Sequence, residues 1–237
     1  MNAELQSFAY VSSHDLQEPL RKIKTFSGRL MDKERENLSE GGKDVLNRIN
    51  SAVMRMQTLI EDILAYSRTN TVERVFAKTN IGDVVNEVKE DFKEAIAEKN
   101  AIIEVNASCE IEVIPFQFKQ LIANMISNSL KFSKPDVAPH IEIKCQRKEG
   151  TTIENLPVNL NQQYCQISVI DNGIGFDEEY NERIFEIFQR LHGKSEYTGT
   201  GIGLAIVKKI VENHNGFITA KGVLNEGAVF EVYLPYK

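Results

Sequence analysis

The apolar periodicity of this chain changes character once, near residue 76, and that change divides it in two. Over residues 4–68 apolar side chains recur every three to four positions: Leu5, Phe8, Val11, Leu16, Leu20, Ile23 and Leu30. After a polar stretch from Glu34 to Gly42 come Val45, Ile49, Val53, Met56, Leu59, Ile60 and Ile63. This is the period of an amphipathic helix, and the span holds a single proline, Pro19. Ser39 and Gly41-Gly42 suit a short connection, so the segment is predicted to fold as an antiparallel helical hairpin. Two amphipathic helices alone bury too little to be stable. Pairing with a second hairpin into a four-helix bundle, hence a homodimer, is the simplest remedy.

Beyond residue 76 helical and alternating patterns mix. Ile81–Ala97, Phe116–Phe132 and Gly203–Asn213 read as helices, whereas 101–105, 141–145, 166–170 and 228–233 alternate as half-buried strands do. Strands and helices mixed on this scale predict a two-layer α/β sandwich. The polar run Thr151–Gln163, with Pro157, reads as a surface hairpin loop. The predicted class is therefore α+β multidomain, with a helical domain over 1–72 and a sandwich domain over 73–237.

A length of 237 residues suits two domains, and 42% hydrophobic with 26% charged residues excludes a disordered or collagenous chain. No run approaches the roughly 18 apolar residues of a membrane span, and no signal peptide precedes the first helix. The expected location is cytoplasmic, with membrane attachment only through an absent N-terminal part. Net charge is 28 − 34 = −6, with 10 − 10 = 0 over residues 1–70 and 18 − 24 = −6 over 71–237. Neither half has the basic excess that phosphate-backbone binding wants, so nucleic acid is excluded as a partner. Cys109, Cys145 and Cys165 lie far apart without a C-x-x-C pair and read as reduced, buried thiols with no zinc spacing.

Three segments of the second half bear chemistry. Asn124, Asn128 and Lys131 fall at i, i+4 and i+7 of a predicted helix and share one face. Two amide oxygens beside a lysine suit a hydrated magnesium ion and phosphates, though alone they describe a polar solvent face equally well. Asp171-Asn-Gly173-Ile-Gly175 follows a strand; its glycines permit tight turning, and its carboxylate can accept from an exocyclic amine. Gly199-Thr-Gly201-Ile-Gly203-Leu204 opens a helix, where backbone amides form an anion site. It is neither a dinucleotide fingerprint nor a P-loop.

In this order the three segments resemble the N, G1 and G2 boxes of sensor histidine kinases. Ile184-Phe-Glu-Ile-Phe-Gln-Arg190 resembles the family's F box, and Ser13-His14-Asp15-Leu16-Gln17-Glu18-Pro19-Leu20 its H box. The resemblance covers nearly the whole chain. It implies a histidine kinase/gyrase-type ATP-binding sandwich and an autokinase that uses ATP and Mg2+, with a homodimer and a response-regulator receiver domain as partners. It implies that His14 is the phosphoacceptor and that Asp15 takes up the proton from its ring. Asp171 would bind the adenine amine and Asn128 the magnesium, with Asn124 in support. Lys131, and at the edge Arg190, would meet phosphate. Gly173, Gly175, Gly199, Gly201, Gly203 and Leu204 would line the nucleotide. Residues 177–199 read as a mobile lid. Related gyrase-type ATPases carry a glutamate where Asn124 stands; an amide cannot activate water, so transfer to His14 is favoured over hydrolysis. Two positions depart from the family: Gln17-Glu18 stands where Arg-Thr or Arg-Asn is frequent, and Ile187 where proline is usual. A docking module without activity and a conformational ATPase are the competing classes. The intact Asn128, Asp171 and glycines oppose the first, and His14-Asp15 with Asn124 the second.

Overall fold

The computed structural model describes residues 2–69, 75–106, 109–153, 156–191 and 199–236, and of residues 2–14 and 68 the helical backbone alone. The N-terminal half is a hairpin of α1 (Asn2–Glu34) and α2 (Glu40–Arg68). The Ser39 hydroxyl accepts from the Gly42 N–H at 3.1 Å, and Glu40 adds an anion in the first turn. A capped, dipole-matched start draws Gly41 and Gly42 into the helix, so the connection ends at Ser39 and does not extend to Gly42. Pro19 lies inside α1, which continues through it. The hairpin's own core is thin: Leu20, Val53 and Ile60, with Leu64 against them. The Ser27 hydroxyl also meets the Asn50 amide oxygen across the two helices. Leu16, Ile23, Phe26 and Leu30 on α1, with Val45, Ile49 and Met56 on α2, stay exposed.

The C-terminal half holds β1 (Ala77–Asn80), α3 (Ile81–Asp91), α4 (Lys93–Glu98), β2 (Ile102–Asn106), β3 (Glu110–Val113), α5 (Pro115–Lys131) and β4 (His140–Glu149). It continues with β5 (Gln163–Asp171), α6 (Gly203–Asn213), β6 (Phe217–Val223) and β7 (Gly227–Pro235). The main sheet runs β2-β4-β5-β7-β6, and β1 pairs with β3 apart from it. The β2–β4 pair is parallel, while β4–β5, β5–β7 and β6–β7 are antiparallel. The predicted helix over 81–97 divides at Phe92, whose backbone leaves helical geometry (φ −103°, ψ 12°). The strands β1 and β3, of four residues each, give only two alternations and were not anticipated; nor was β6, of seven residues.

The sheet's faces follow from strand alternation. Ile141, Ile143, Ile167, Val169 and Val232 point into the core, where α5 inserts Phe118, Leu121, Ile122, Met125 and Ile126, all at most 2% exposed. On the opposite face Gln146 donates to Gln166 (2.6 Å), and Gln166 to Glu231 (2.7 Å). The loop between β4 and β5 covers part of this face through Ile153, Leu156 and Val158, as a surface hairpin loop should.

The cysteine expectation is corrected. Cys109 and Cys145 are joined in a disulfide, which ties the strand pair β1–β3 to the main sheet. Cys165 is free and buried, its Sγ 3.2 Å from that of Cys145. Burial pushes its thiol up to about 12. All three sulfurs lie within 4.8 Å of one another, a proximity created by strand pairing and invisible in sequence spacing. Among the described residues no helix is long and apolar enough to cross a membrane.

Leu121 has no exposed surface on the α5 face that meets the sheet. Leu121→Ala should therefore cost about 2–5 kcal/mol, the transfer term plus the cavity term, read as a lower urea midpoint with an unchanged slope.

Candidate functional site

The packing of α5 fixes what its other flank presents. With Phe118, Leu121, Ile122, Met125 and Ile126 against the sheet, Asn128 and Lys131 are turned to the flank that lines a cleft. Asp171, Phe176, Ile184, Arg190, Leu191, Gly201, Gly203, Leu204 and Phe230 complete that cleft. Its walls are apolar and its polar groups converge at two ends, the usual build of a small-molecule site.

Asp171 lies at the end of β5. Its carboxylate accepts from the Gly173 N–H at 3.0 Å and from the Ser129 hydroxyl at 3.1 Å. Burial raises its pKa above the ordinary aspartate range, and the Gly173, Ser129 and Ala228 donors pull the other way. Gly175 sits at φ +63°, where a Cβ would collide with the Val223 carbonyl. Glycine is required there by both backbone conformation and space.

Lys131 and Arg190 form the other end. The Lys131 ammonium lies 4.4 Å from the Phe132 ring centroid and packs over Gly199, where a Cβ would strike it. Desolvation lowers the pKa of Lys131, and the nearby Arg190 charge lowers it further, while Asp62 opposes both. The turn opening α6 is held from two sides. The Asn124 amide donates to the Gly203 carbonyl (3.3 Å), and the Phe188 N–H donates to the Gly201 carbonyl (3.0 Å). Phe188 adopts φ +67° to make this contact, an uncommon conformation for a bulky residue. Within the 177–199 span read as a lid, Ile184 and Phe185 are buried in the core, while Ile187 and Phe188 are exposed. Residues 192–198 lie outside the described residues.

The structure thus gathers Asn128, Lys131, Asp171, Gly175, Arg190, Gly201, Gly203 and Leu204 around one cleft. Asn124, Gly173 and Gly199 support it from behind. His14 and Asp15 belong to α1, in the other half; the His14 side chain lies outside the described residues. Sequence reasoning missed Ser129, which holds Asp171. It also missed Thr200 and Asp62, whose side chains meet across the two halves. Ser129 directly follows Asn128, but only the fold sets it against Asp171, 42 residues away.

Two family models divide the chain. The His Kinase A (phospho-acceptor) domain matches residues 4–71, and the histidine kinase-, DNA gyrase B- and HSP90-like ATPase matches residues 114–237. The chain is similar to phytochrome-like protein Cph1 of Synechocystis sp., with 39% identity over 99% of this chain and 29% of that protein. It is similar to cyanobacterial phytochrome A of Nostoc sp., with 38% identity and the same coverages. The chain thus spans about 29% of the length of these relatives. Among solved structures, full-length ShkA in complex with AMPPNP superposes with a TM-score of 0.69 at 21% identity, over 97% of this chain and 46% of that one. Histidine kinase ThkA in complex with response regulator TrrA gives 0.61 at 23% identity, over 100% and 64%. At those identities the structures establish the fold. With the phosphoacceptor and ATPase models matched in order over the two halves, the chain belongs to the sensor histidine kinases.

Proposed function

We propose that this chain binds Mg-ATP in the cleft beside α5, transfers the γ-phosphoryl group to His14, and passes it on to an aspartate of a response-regulator receiver domain. The observation that carries the reading is the convergence of Asn128, Lys131, Asp171 and the α6 glycine turn on one cleft, in a chain whose α1 holds His14-Asp15. The domain boundary falls near residue 72. The exposed stripe Leu16, Ile23, Phe26 and Leu30 on α1 supports a homodimer, because a second hairpin would bury it. Complexes of relatives with an ATP analogue and with a response regulator support the two partners. Incubation with γ-labelled ATP tests the reading: a kinase yields labelled protein, an ATPase free phosphate, and a docking module neither.

Each residue has a role in this reading. Asp171 accepts from the adenine amine while Ser129 and Gly173 hold its carboxylate in place. Lys131, Arg190 and the amides of the Gly199–Gly203 turn bind phosphate oxygens. Asn128 offers the neutral, hard oxygen that suits Mg2+, which keeps several waters, and Asn124 steadies the Gly203 turn behind it. Bound magnesium would offset phosphate charge. A lone pair on the His14 imidazole attacks the γ-phosphorus, ADP leaves, and Asp15 takes the ring proton.

Three outcomes follow. His14→Gln should abolish labelling and leave ATP affinity unchanged by calorimetry, since the cleft is in the other half; surviving label would remove His14. Asp171 would face the guanine carbonyl with a second acceptor, so ATP should bind at least about tenfold, or ~1.4 kcal/mol, more tightly than GTP. Asp171→Asn should weaken ATP. The same variant should stabilise the nucleotide-free fold at neutral pH. Burial raises the Asp171 pKa in the folded state, so this group's contribution is greatest at acid pH and is lost as pH rises through the folded value. The melting-temperature gain of Asp171→Asn should accordingly grow from pH 4 to pH 7; a constant gain would contradict it.

Glu18 is one helical turn from His14 and pairs with Lys22 at 2.7 Å, with both side chains more than half exposed, so its carboxylate remains an acceptor only. Thr or Asn there can also donate to the water that dephosphorylates a regulator. The unaltered protein should show weak phosphatase activity toward its phosphorylated regulator, and Glu18→Thr should raise it. Rapid phosphate release unchanged by the substitution would overturn this role.

A further inference from the structure

One face of α2 docks on the C-terminal half. Leu59 and Tyr66 pack against its main core, and Thr69 at the end of α2 is 2% exposed. Leu59, Asp62, Tyr66 and Thr69 fall at i, i+3, i+7 and i+10, a single helical stripe. Asp62 is the anion in that stripe, and it meets the turn between Gly199 and Gly203, whose Gly201 and Gly203 line the cleft. The Thr200 hydroxyl donates to its carboxylate, and the same hydroxyl oxygen accepts from the Ile202 N–H at 3.3 Å, in the turn opening α6. Lys131 is close enough to act on Asp62 electrostatically, and Asp62 acts in turn on Lys131. Arg190 lines the same cleft as Lys131 and is near enough to act on its charge.

The group on α2 is thus a carboxylate bonded to the hydroxyl of the helix-opening turn, with the Lys131 charge near enough to act on it. We propose that Asp62 is a nucleotide-displaced latch: its carboxylate and the terminal phosphates of ATP compete for the Lys131–Thr200 corner, so that triphosphate binding releases this contact of α2. The proposal rests on the cleft being the ATP site. A carboxylate brings one negative charge, and a triphosphate several over more acceptor oxygens, so the nucleotide prevails once bound. Until then the docked carboxylate opposes it. By linkage the opposition is reciprocal: whatever α2 docking takes from nucleotide affinity, nucleotide takes from α2 docking. Release removes one polar tie between α2 and the C-terminal half, while Leu59, Tyr66 and the Thr69 end remain packed on it. Burial already disfavours the Asp62 carboxylate, and Thr200 and Lys131 offset that cost, so the contact is a marginal one, suited to exchange.

The test uses the whole chain and a non-hydrolysable ATP analogue. Asp62→Asn keeps the shape and an acceptor for Thr200 but removes the charge. It should tighten the analogue by about 5-fold or more, within the usual range of couplings between sites, and leave adenosine affinity unchanged, because adenosine has no phosphate to compete. Asp62→Ala, which also removes the acceptor, should behave alike. An equal change for adenosine and the analogue would mark Asp62 as a structural contact and overturn the latch, as would unchanged affinity for the analogue in both variants. Failure of the unaltered protein to bind the analogue at all would refute the ATP site itself, a result distinct from either.

Discussion

The burial of one face of α5 against the main sheet is the constraint on which the site depends. Phe118, Leu121, Ile122, Met125 and Ile126 lose essentially all contact with water, an apolar gain on the order of 2 kcal/mol for each side chain. That gain fixes the helix's rotation about its axis. A helix so fixed has no freedom in where its remaining side chains point. Asn128 and Lys131 face the cleft because the neighbouring stripe faces the sheet, and Asn124 reaches the Gly203 carbonyl for the same reason. Chemistry and packing are two sides of one helix, so a rotation that spoils either spoils both.

The second constraint is electrostatic. Asp171 is placed where a carboxylate is costly, and three donors reduce the cost without removing it. A buried acceptor held in one orientation by Ser129 and Gly173 is poor for stability and good for recognition, since a ligand that donates to it recovers what folding gave up. Lys131 shows the same logic with the sign reversed: desolvation and Arg190 both disfavour its charge, and an anion in the cleft would relieve both.

Much of this was legible in the residues. The helical hairpin, α5, α6 and the strands β2, β4, β5 and β7 rest on periodicity sustained over enough residues to register. The glycines at 175 and 201 announced backbone that no side chain tolerates. What stayed hidden depended on contacts between residues distant in sequence. β1 and β3 are four residues each, too short for alternation to speak. The Cys109–Cys145 bond spans 36 residues and arises because β1–β3 is laid beside β4. Asp62 and Thr200 are 138 residues apart, and in sequence Asp62 is one more charge on a solvated helix. His14 shows the opposite case: its meaning came from resemblance to a family, since a lone histidine on a helix announces nothing by spacing.

Two polar contacts of α2 with the C-terminal half differ in kind, and the difference sets what nucleotide can do. At its end, the Thr69 carbonyl accepts from Asn213 (2.7 Å) and Gln117 (3.3 Å), and Asn213 also donates to Gln117 (3.2 Å). Gln117, Asn213 and Thr69 are all at most 3% exposed. Breaking this network would strand buried polar atoms at about 1–3 kcal/mol each. Two turns earlier, the Asp62 contact is charged, half-buried and replaceable by phosphate. Leu59 and Tyr66 pack on the C-terminal core on either side of Asp62, so exchange of the Asp62 contact for phosphate would loosen α2 at that corner while the apolar packing and the Thr69 network keep the two halves together.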